Sequence, residues 1–484
     1  MTMAGALSNA LSGLTASSRG AEVVSSNIAN ALTEGYGRRE LNLSSRVLGG
    51  TGAGVYVDGV SRIVDQVVIS DRRLADASLG GSQTRADFMK KIEQVIGTPG
   101  TDGALSDRLA ALDAAFVSAA SRPDSETRLH NVVQSAQNLS NHINRVSHEI
   151  QSQRSQADQA IDRQVTFLNE SLQHIRQLNL SILSQRSSGR EVPALLDQRQ
   201  QLVDQISSIV PVQEIPRDHG QIALVTTGGA MLLDGRAAEI GFQGVGVVTE
   251  DMTLAAGSLS GLTLNGTPIA TTENGLLAGG SLAAQFEVRD ELATAAQADL
   301  DALARDLVER FQNPAVDSTL GATSTGLFTD AGAFFDPANE AGLSTRLAIN
   351  DRVNPQQGGA VWRLRDGIGA ATPGDVGNAH LLQNMSQALT AARTPASGSF
   401  AGSAKSAARI SSDFLSRIST AHQANETQLV FAQTKVNTLT AEEMRSGVDT
   451  DHEMQQLLLV EQSFAANARV MQTVDELLQT LMRI

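Results

Sequence analysis

The best case for a metal site in this chain is a run of four polar residues, Asp449, Asp451, His452 and Glu453. A calcium loop built on such a run also needs a glycine at its turn and a distal glutamate, and neither is in place. Thr450 and Glu453 instead fit a capping box, where a hydroxyl and a carboxylate satisfy free N–H groups at a helix start. Asp449 and Asp451 would add favourable negative charge at that end of the helix. The run therefore predicts a helix start and no metal. His142 and His148 are six apart, not at the i, i+4 spacing of a helical metal pair, and read as solvated helix positions. Gly228-Gly229 and Gly279-Gly280 lack the Lys-Ser/Thr of a phosphate loop and read as turns. No Gly-x-Ser-x-Gly elbow occurs. The sequence assigns no catalytic residue, no cofactor site and no metal ligands, and the expectation is a protein that is not an enzyme.

Composition narrows the classes further. The 484 residues suffice for two to four domains. With 37 basic against 52 acidic residues, the net charge is −15, which disfavours nucleic acid and anionic membranes as partners. Tyr36, Tyr56 and Trp362 are the only tyrosines and tryptophan, so platforms for stacking bases or sugars are scarce. Without cysteine there is no disulfide and no thiolate metal site. The first residues lack the basic and apolar regions of a Sec-type signal, and no stretch approaches the ~20 apolar residues of a membrane span. Export, if it occurs, is expected by a route that reads no cleaved signal.

What remains is the chemistry of helix surfaces. Leu7, Leu11 and Leu14 step by four and three, and the apolar spacing resumes at Ala21, Val24 and Ile28. At the other end, Leu457, Val460, Phe464, Asn467, Met471, Val474, Leu478 and Leu481 form a heptad seam with one polar member. A seam this long needs a partner, because a lone amphipathic helix leaves its stripe in water. The candidate partners are the opposite terminus and other copies of the chain. Small residues such as Ala10, Ser18, Ala21 and Ser25 would let a second helix approach closely. Asn467 is either a tolerated polar residue or one that fixes register by pairing across the seam. The polar faces of these helices lack the basic enrichment of membrane-surface helices.

The elements that would carry these seams follow from spacing and punctuation. A helix over 5–30 stops at Gly35-Tyr36-Gly37. Residues 38–60 alternate around Gly49-Gly50 as a hairpin or extended arm. Helical spacing returns over 61–96 and breaks at Thr98-Pro99-Gly100. A long glycine-free window follows, with a seam of Leu129, Val132, Ala136, Leu139, Ile143, Val146 and Ile150. It continues through Ala157, Ile161, Val165, Leu168, Leu172, Ile175, Leu178 and Ile182, with a stutter at Ala157–Val165. A helix of about 60 residues would span roughly 90 Å. After a shorter helix over 193–208, strand-like segments run to 280, with turn signals at Asp234-Gly235 and Asn265-Gly266. Helices return over 281–312 and 401–445. The expected fold is mainly α with a β-rich insert. The terminal pieces 1–60 and 446–484 pair as a coiled-coil domain, and 61–208, 281–313 and 401–445 form a rod-like long-helix domain. A β-rich insert occupies 209–280, and 314–400 is an irregular insert with short elements such as 377–392.

Two terminal motifs resemble those of flagellar axial proteins, the rod, hook and hook-associated group. One runs from Ala6-Leu7-Ser8 and Leu11-Ser12-Gly13-Leu14 through Ser25-Ser26-Asn27-Ile28-Ala29-Asn30 to Gly35-Tyr36-Gly37-Arg38. The other comprises Ser446-Gly447-Val448-Asp449, Gln462 to Val470 and Asp475-Glu476-Leu477-Leu478. The motif residues singled out are Asn27, Asn30, Gly35, Tyr36, Arg38, Asn467, Arg469 and Asp475. Within the chain, Gly103 to Leu109 with Phe116, and Leu195 to Val203, resemble the hook-associated protein 1 family. The resemblance covers about 1–310 and 400–484, and Ala31-Leu32 departs from it. It implies a structural subunit of the bacterial flagellum at the hook–filament junction, exported by the flagellar type III route and located outside the cell. Implied partners are other copies, hook protein, a second hook-associated protein, and a cytosolic export chaperone on the C-terminal helix around 454–484. It implies neither nucleic acid nor membrane. A distal rod or hook subunit is the alternative within the class, and a secreted hydrolase carrying axial-protein ends the alternative outside it.

Overall fold

A computed structural model describes residues 3–48, 51–101 and 103–482. The turn expected at Gly49-Gly50 lies outside the described residues. Helix α1 (Met3–Ala29) is rich in Ala, Ser and Gly. The chain then turns at Gly35, whose φ of 76° suits glycine. Strands β1 (Arg38–Leu48) and β2 (Thr51–Ile63) form an antiparallel arm lying on α1. Helix α2 (Gln66–Ile96) starts at Asp65, whose carboxylate accepts from the N–H groups of Val67 and Val68.

Helix α3 (Leu105–Ser121) leads into α4 (Glu126–Ser187), a single helix of 62 residues. Its inward stripe serves two cores in succession. Leu129 to Ala157 join a core with α3, and Ile161 to Ile175 join a second core beyond it. The handover falls where the heptad stutters, so the helix face rotates from one set of neighbours to the next. Further along, Leu178 is only half-buried, and Asn179 turns inward instead to donate to the carbonyl of Ile222 at 2.9 Å. His142 corrects a sequence expectation. It is buried at 2% exposure with Nε2 3.2 Å from the carbonyl of Ile96, and burial holds its pKa down at about 4.

Helix α5 (Pro193–Ser207) packs on α4 and borders the second core. Four short strands, β3 (Val212–Pro216), β4 (Ile222–Thr226), β5 (Met231–Asp234) and β6 (Arg236–Ala237), form one antiparallel sheet. Strands β7 (Ile240–Gly241), β8 (Leu262–Leu264) and β9 (Thr267–Ile269) form another. Both expected turns are present. Gly235 joins β5 to β6, while Asn265 and Gly266, at φ of 51° and 81°, join β8 to β9.

Helices α6 (Ser281–Glu287) and α7 (Ala293–Phe311) are joined by one π turn at Val288–Leu292. That turn carries the fully buried Arg289, which meets Asp158 of α4 at 2.8 Å between the two cores. Residues 314–400 hold β10 (Phe328–Asp330), α8 (Leu343–Arg346), β11 (Leu347–Ile349), α9 (Arg363–Asp366) and α10 (His380–Thr390). They do not stand apart: Phe328, Phe335, Leu364 and Leu382 complete the first core. Helix α11 (Ala407–Ser446) returns along α2, and α12 (Thr450–Met482) along α1. The molecule is therefore mainly α, with small antiparallel sheets and paired terminal helices.

Candidate assembly junction where the chain ends meet

Helices α1 and α12 run antiparallel in register. Gly13 faces Asn467, Gly20 faces Val460, and Asn27 bonds to Glu453, one heptad apart each time. The helices approach so closely that a Cβ at Gly13 would lie 2.6 Å from Asn467 Nδ2. Small residues make this possible: the buried side of α1 is Ala10, Ala16, Ser17, Gly20, Val23, Val24 and Asn27. Of the line expected along Leu7, Leu11, Leu14, Ala21, Val24 and Ile28, Val24 belongs to this buried side. Leu7 and Leu11 are 37% and 56% exposed, and Leu14, Ala21 and Ile28 are half-buried. A leucine is too bulky for so tight an axis; glycine and alanine fit it.

On α12, Val474 is buried, and Leu457, Val460, Asn467 and Met471 are half-buried against α1. Phe464, Leu478 and Leu481 are exposed, as are Leu458, Leu459, Val470 and Leu477 on the remaining faces. Among the described residues, Asn467 finds no polar partner across the seam. Its Nδ2 donates to its own helix at the carbonyl of Ser463, 2.9 Å away. The polar pair across the seam sits two heptads away, where Asn27 Nδ2 donates to Glu453 Oε2 at 3.0 Å.

Asn27 is the centre of a small network. Its Nδ2 also donates to the carbonyl of Arg39 at 2.8 Å, and its Oδ1 accepts from the N–H of Arg39 and the hydroxyl of Tyr36, each at 2.9 Å. One amide thus fixes the helix, the turn and the first strand. Burial pushes the Tyr36 hydroxyl up from its ordinary pKa, favouring the protonated donor that Asn27 needs. The Arg39 guanidinium lies 5.0 Å over the Tyr36 ring. Arg38 reaches Glu453 at 3.9 Å and Glu40 at 3.5 Å. Asn30 donates to the carbonyl of Ser26 at 2.9 Å, where α1 ends.

Glu453 therefore does not cap its own helix. The expected capping box at Thr450 and Glu453 is replaced by Asp449, whose Oδ1 accepts from the N–H groups of Asp451 at 2.9 Å and His452 at 3.2 Å. That frees Glu453, only 3% exposed, to face Asn27.

A second centre is Asp197 on α5. Its Oδ1 accepts from the N–H of Gly37 at 3.0 Å and from Arg62 Nε at 2.6 Å, and its Oδ2 meets Arg39 at 3.4 Å. Arg62 continues to Gln200 and to the carbonyl of Gly35 at 3.2 Å. Gln200 donates to Glu443 at 3.2 Å, at the end of α11. Arg72 of α2 gathers Glu443, Asp204 and Asp76. Burial alone would lower its pKa, but the three carboxylates outweigh that and hold it above the ordinary value. Gly35 and Gly37 are required by this crowding: a Cβ would lie 2.8 Å from Gln201 Cγ at the first and 2.4 Å from Arg62 Nε at the second.

The structure thus brings Asn27, Gly35, Tyr36 and Arg38 together with the α5 segment and the start of α12. It leaves Arg469 and Asp475 elsewhere, both exposed, with Asp475 accepting from Gln479 at 2.9 Å. Sequence reasoning missed Glu453 as a contact and Asp197 as a centre. Asp197 lay within a motif, but nothing in its neighbours' spacing reveals that it faces Gly37. Among the described residues, no group of three or more acidic or histidine side chains could hold a metal ion, and no helix is long and apolar enough to cross a membrane.

Residues 89–328 match the family model of the flagellar hook-associated protein FlgK helical domain. Residues 7–36 match the flagella basal body rod protein model, and 444–484 match the flagellar basal body rod FlgEFG protein C-terminal model. Flagellar hook-associated protein 1 of Salmonella typhimurium is 28% identical over 49% of this chain and 44% of its own length. The protein of that name from Bacillus subtilis is 24% identical over 47% of each chain. The chain thus matches somewhat less than half the length of these curated relatives. The solved flagellar hook junction protein FlgK from Burkholderia pseudomallei aligns over 54% of this chain and 46% of its own, at 19% identity and a TM-score of 0.43. Both paired ends are thus similar to flagellar rod-type proteins. The helical-domain match and these relatives make the chain similar to flagellar hook-associated protein 1 over about half of its length.

Proposed function

We propose that this chain is a structural, non-catalytic subunit of the bacterial flagellum that forms the junction between hook and filament. The observation that carries the reading is the antiparallel pairing of α1 and α12, which leaves apolar rows outside the pair. Leu7 and Leu11 on α1 and Leu458, Leu459, Val470, Leu477 and Leu481 on α12 are exposed. Large apolar side chains exposed in this number on one helix pair are the surface on which an interaction would rest. Neighbouring copies would cover it in a helical lattice, with hook protein below and a second hook-associated protein above.

On this reading the terminal pieces 1–60 and 446–484 form the inner layer. The helices of 61–208, 281–313 and 401–445 form the next shell, with 314–400 packed into it and the 209–280 strands outside. Before export, a cytosolic chaperone would cover the same apolar rows of α12, and the protein would reach the exterior without a cleaved signal peptide.

Deleting the gene in its own bacterium tests the role. The expected result is hooks without filaments and filament subunits shed into the medium; normal filaments would refute it. Complementation with Leu477→Ser/Leu481→Ser tests the surface. The variant should remain monomeric and folded yet fail to restore filaments.

A further inference from the structure

A cavity of about 340 Å³ opens between the C-terminal end of α4, α5, and strands β3 and β4. Five arginines line it, Arg62, Arg73, Arg186, Arg199 and Arg217, in a chain whose net charge is −15. Three of them are neutralised. Arg62 meets Asp197 at 2.6 Å, Arg73 meets Asp204 at 2.6 Å and Glu214 at 2.7 Å, and Arg217 meets Asp234 at 2.9 Å. Glu214, the acidic residue of the cavity wall, is thereby already engaged.

Among the described residues, the other two meet no carboxylate. Arg199 is 8% exposed, and its Nη1 donates only to neutral acceptors, Asn179 Oδ1 and the carbonyl of Gly220, each at 2.8 Å. Arg186 makes no ion pair among the described residues, and its guanidinium lies over Gly220. A Cβ at Gly220 would be 2.6 Å from Arg186 Cζ. Glycine at this turn therefore lets the two guanidiniums converge. Burial holds Arg199 down at about 10; Glu214 works against this, but Arg62, Arg186 and Arg73 add to it. A buried cation crowded by others and lacking a counter-ion is costly unless an anion supplies one.

We propose that this cavity binds a small doubly charged oxyanion of the phosphate or sulfate class, held between Arg186 and Arg199. Arginine suits the task because its planar fork matches the oxygens of such an anion. The site is independent of the junction role, although Arg62 and Gln200 belong to both the cavity wall and the Asp197 network. An anion here would therefore brace the seat of the terminal helices.

The test is calorimetric titration of the full chain with sodium phosphate, and separately with sodium sulfate, against sodium chloride at matched ionic strength. Saturable one-site binding of phosphate or sulfate, absent with chloride, is expected. Arg186→Gln, a change at an exposed side chain near the end of α4, should weaken it roughly tenfold to a hundredfold, the usual worth of one charge-assisted contact. Arg217→Gln, whose charge Asp234 already meets, should change it by less than about threefold. Heats indistinguishable from chloride in the unaltered protein would overturn the site. So would an Arg186→Gln chain that is folded by circular dichroism and binds undiminished.

Discussion

Gly13→Ala offers a direct test of the terminal register. The new Cβ would lie 2.6 to 2.7 Å from three atoms of the Asn467 side chain. To make room, Asn467 must swing away and give up its bond to the carbonyl of Ser463. Overpacking of this kind costs about 1–3 kcal/mol. Alanine returns about 1 kcal/mol of helix propensity, so the net effect ranges from neutral to a loss of about 2 kcal/mol. Gly20→Ala is the internal control. Its Cβ would meet Val460 at 3.4 Å, an ordinary contact, so the propensity gain of about 1 kcal/mol should survive. Adding Asn467→Ala to Gly13→Ala removes the obstruction, and the cycle should give a favourable coupling of about 1–3 kcal/mol. Native-state hydrogen exchange of the amides in α1 and α12 is the assay, because the pair can open without global unfolding. Each 1.4 kcal/mol appears as about a tenfold change in protection. If Gly13→Ala raised protection as much as Gly20→Ala, or if the coupling vanished, the register would be wrong.

Three further outcomes follow from buried polar groups. Asp197→Ala removes the acceptor shared by Gly37, Arg62 and Arg39; a loss of about 3 kcal/mol is expected in urea unfolding, and a loss under 0.5 kcal/mol would deny it a central place. His142 has a folded pKa of about 4, below the ordinary 6.5, so the native state stays neutral while the unfolded chain takes up a proton. Stability present above pH 6.5 should therefore fall by roughly 3 kcal/mol between pH 6.5 and 4, and His142→Gln should flatten that slope in denaturation followed across the window. Asp158→Ala leaves Arg289 without one of its carboxylates and strips the acceptor from the N–H groups of Val245 and Gly246, so about 3–5 kcal/mol should be lost and proteolysis should begin near 243–249. The double change Asp158→Leu/Arg289→Met should cost less than the single one in the same unfolding assay.

Periodicity carried much of the fold. The 62 residues of α4, its change of face near Ala157, and the two hairpin turns were legible because each depends on local spacing. Aperiodic packing was not. Residues 314–400 contribute single apolar side chains at irregular intervals, and only the folded chain shows that Phe328 meets Phe311 edge-on, with ring centroids 5.5 Å apart. The tight approach of α1 to α12 was hidden for a different reason. Hydrophobicity favours the leucines, but the distance between helix axes is set by volume, and the glycines at 13 and 20 decide it. Glu453 was hidden because a capping glutamate and an inter-helix glutamate look alike in sequence. Only the antiparallel register with α1 separates them.

The same register explains why polar residues gather at one level of the molecule. Two antiparallel helix pairs follow one another, α1 with α12 and α2 with α11, and the chain leaves the helices between them twice, over 30–65, which includes the β1–β2 arm, and over 447–449. An apolar seam resists separation but tolerates sliding and bending. Charge-assisted hydrogen bonds are directional, and they fix an angle that packing leaves free. The Asn27, Asp197 and Arg72 centres lie at this break and tie both sides of it to α5. If the terminal pair is the layer that joins neighbouring copies, its angle to the rest of the chain sets where the outer parts sit in the lattice. The charge of Glu453 within the network would then matter more for assembly than for stability. A junction variant such as Glu453→Gln, which keeps an acceptor for Asn27 but drops the charge facing Arg38, should therefore unfold within about 1 kcal/mol of the parent. It should nevertheless restore fewer filaments in a deletion strain. Full restoration, with the charge absent, would mean that apolar pairing alone sets the angle.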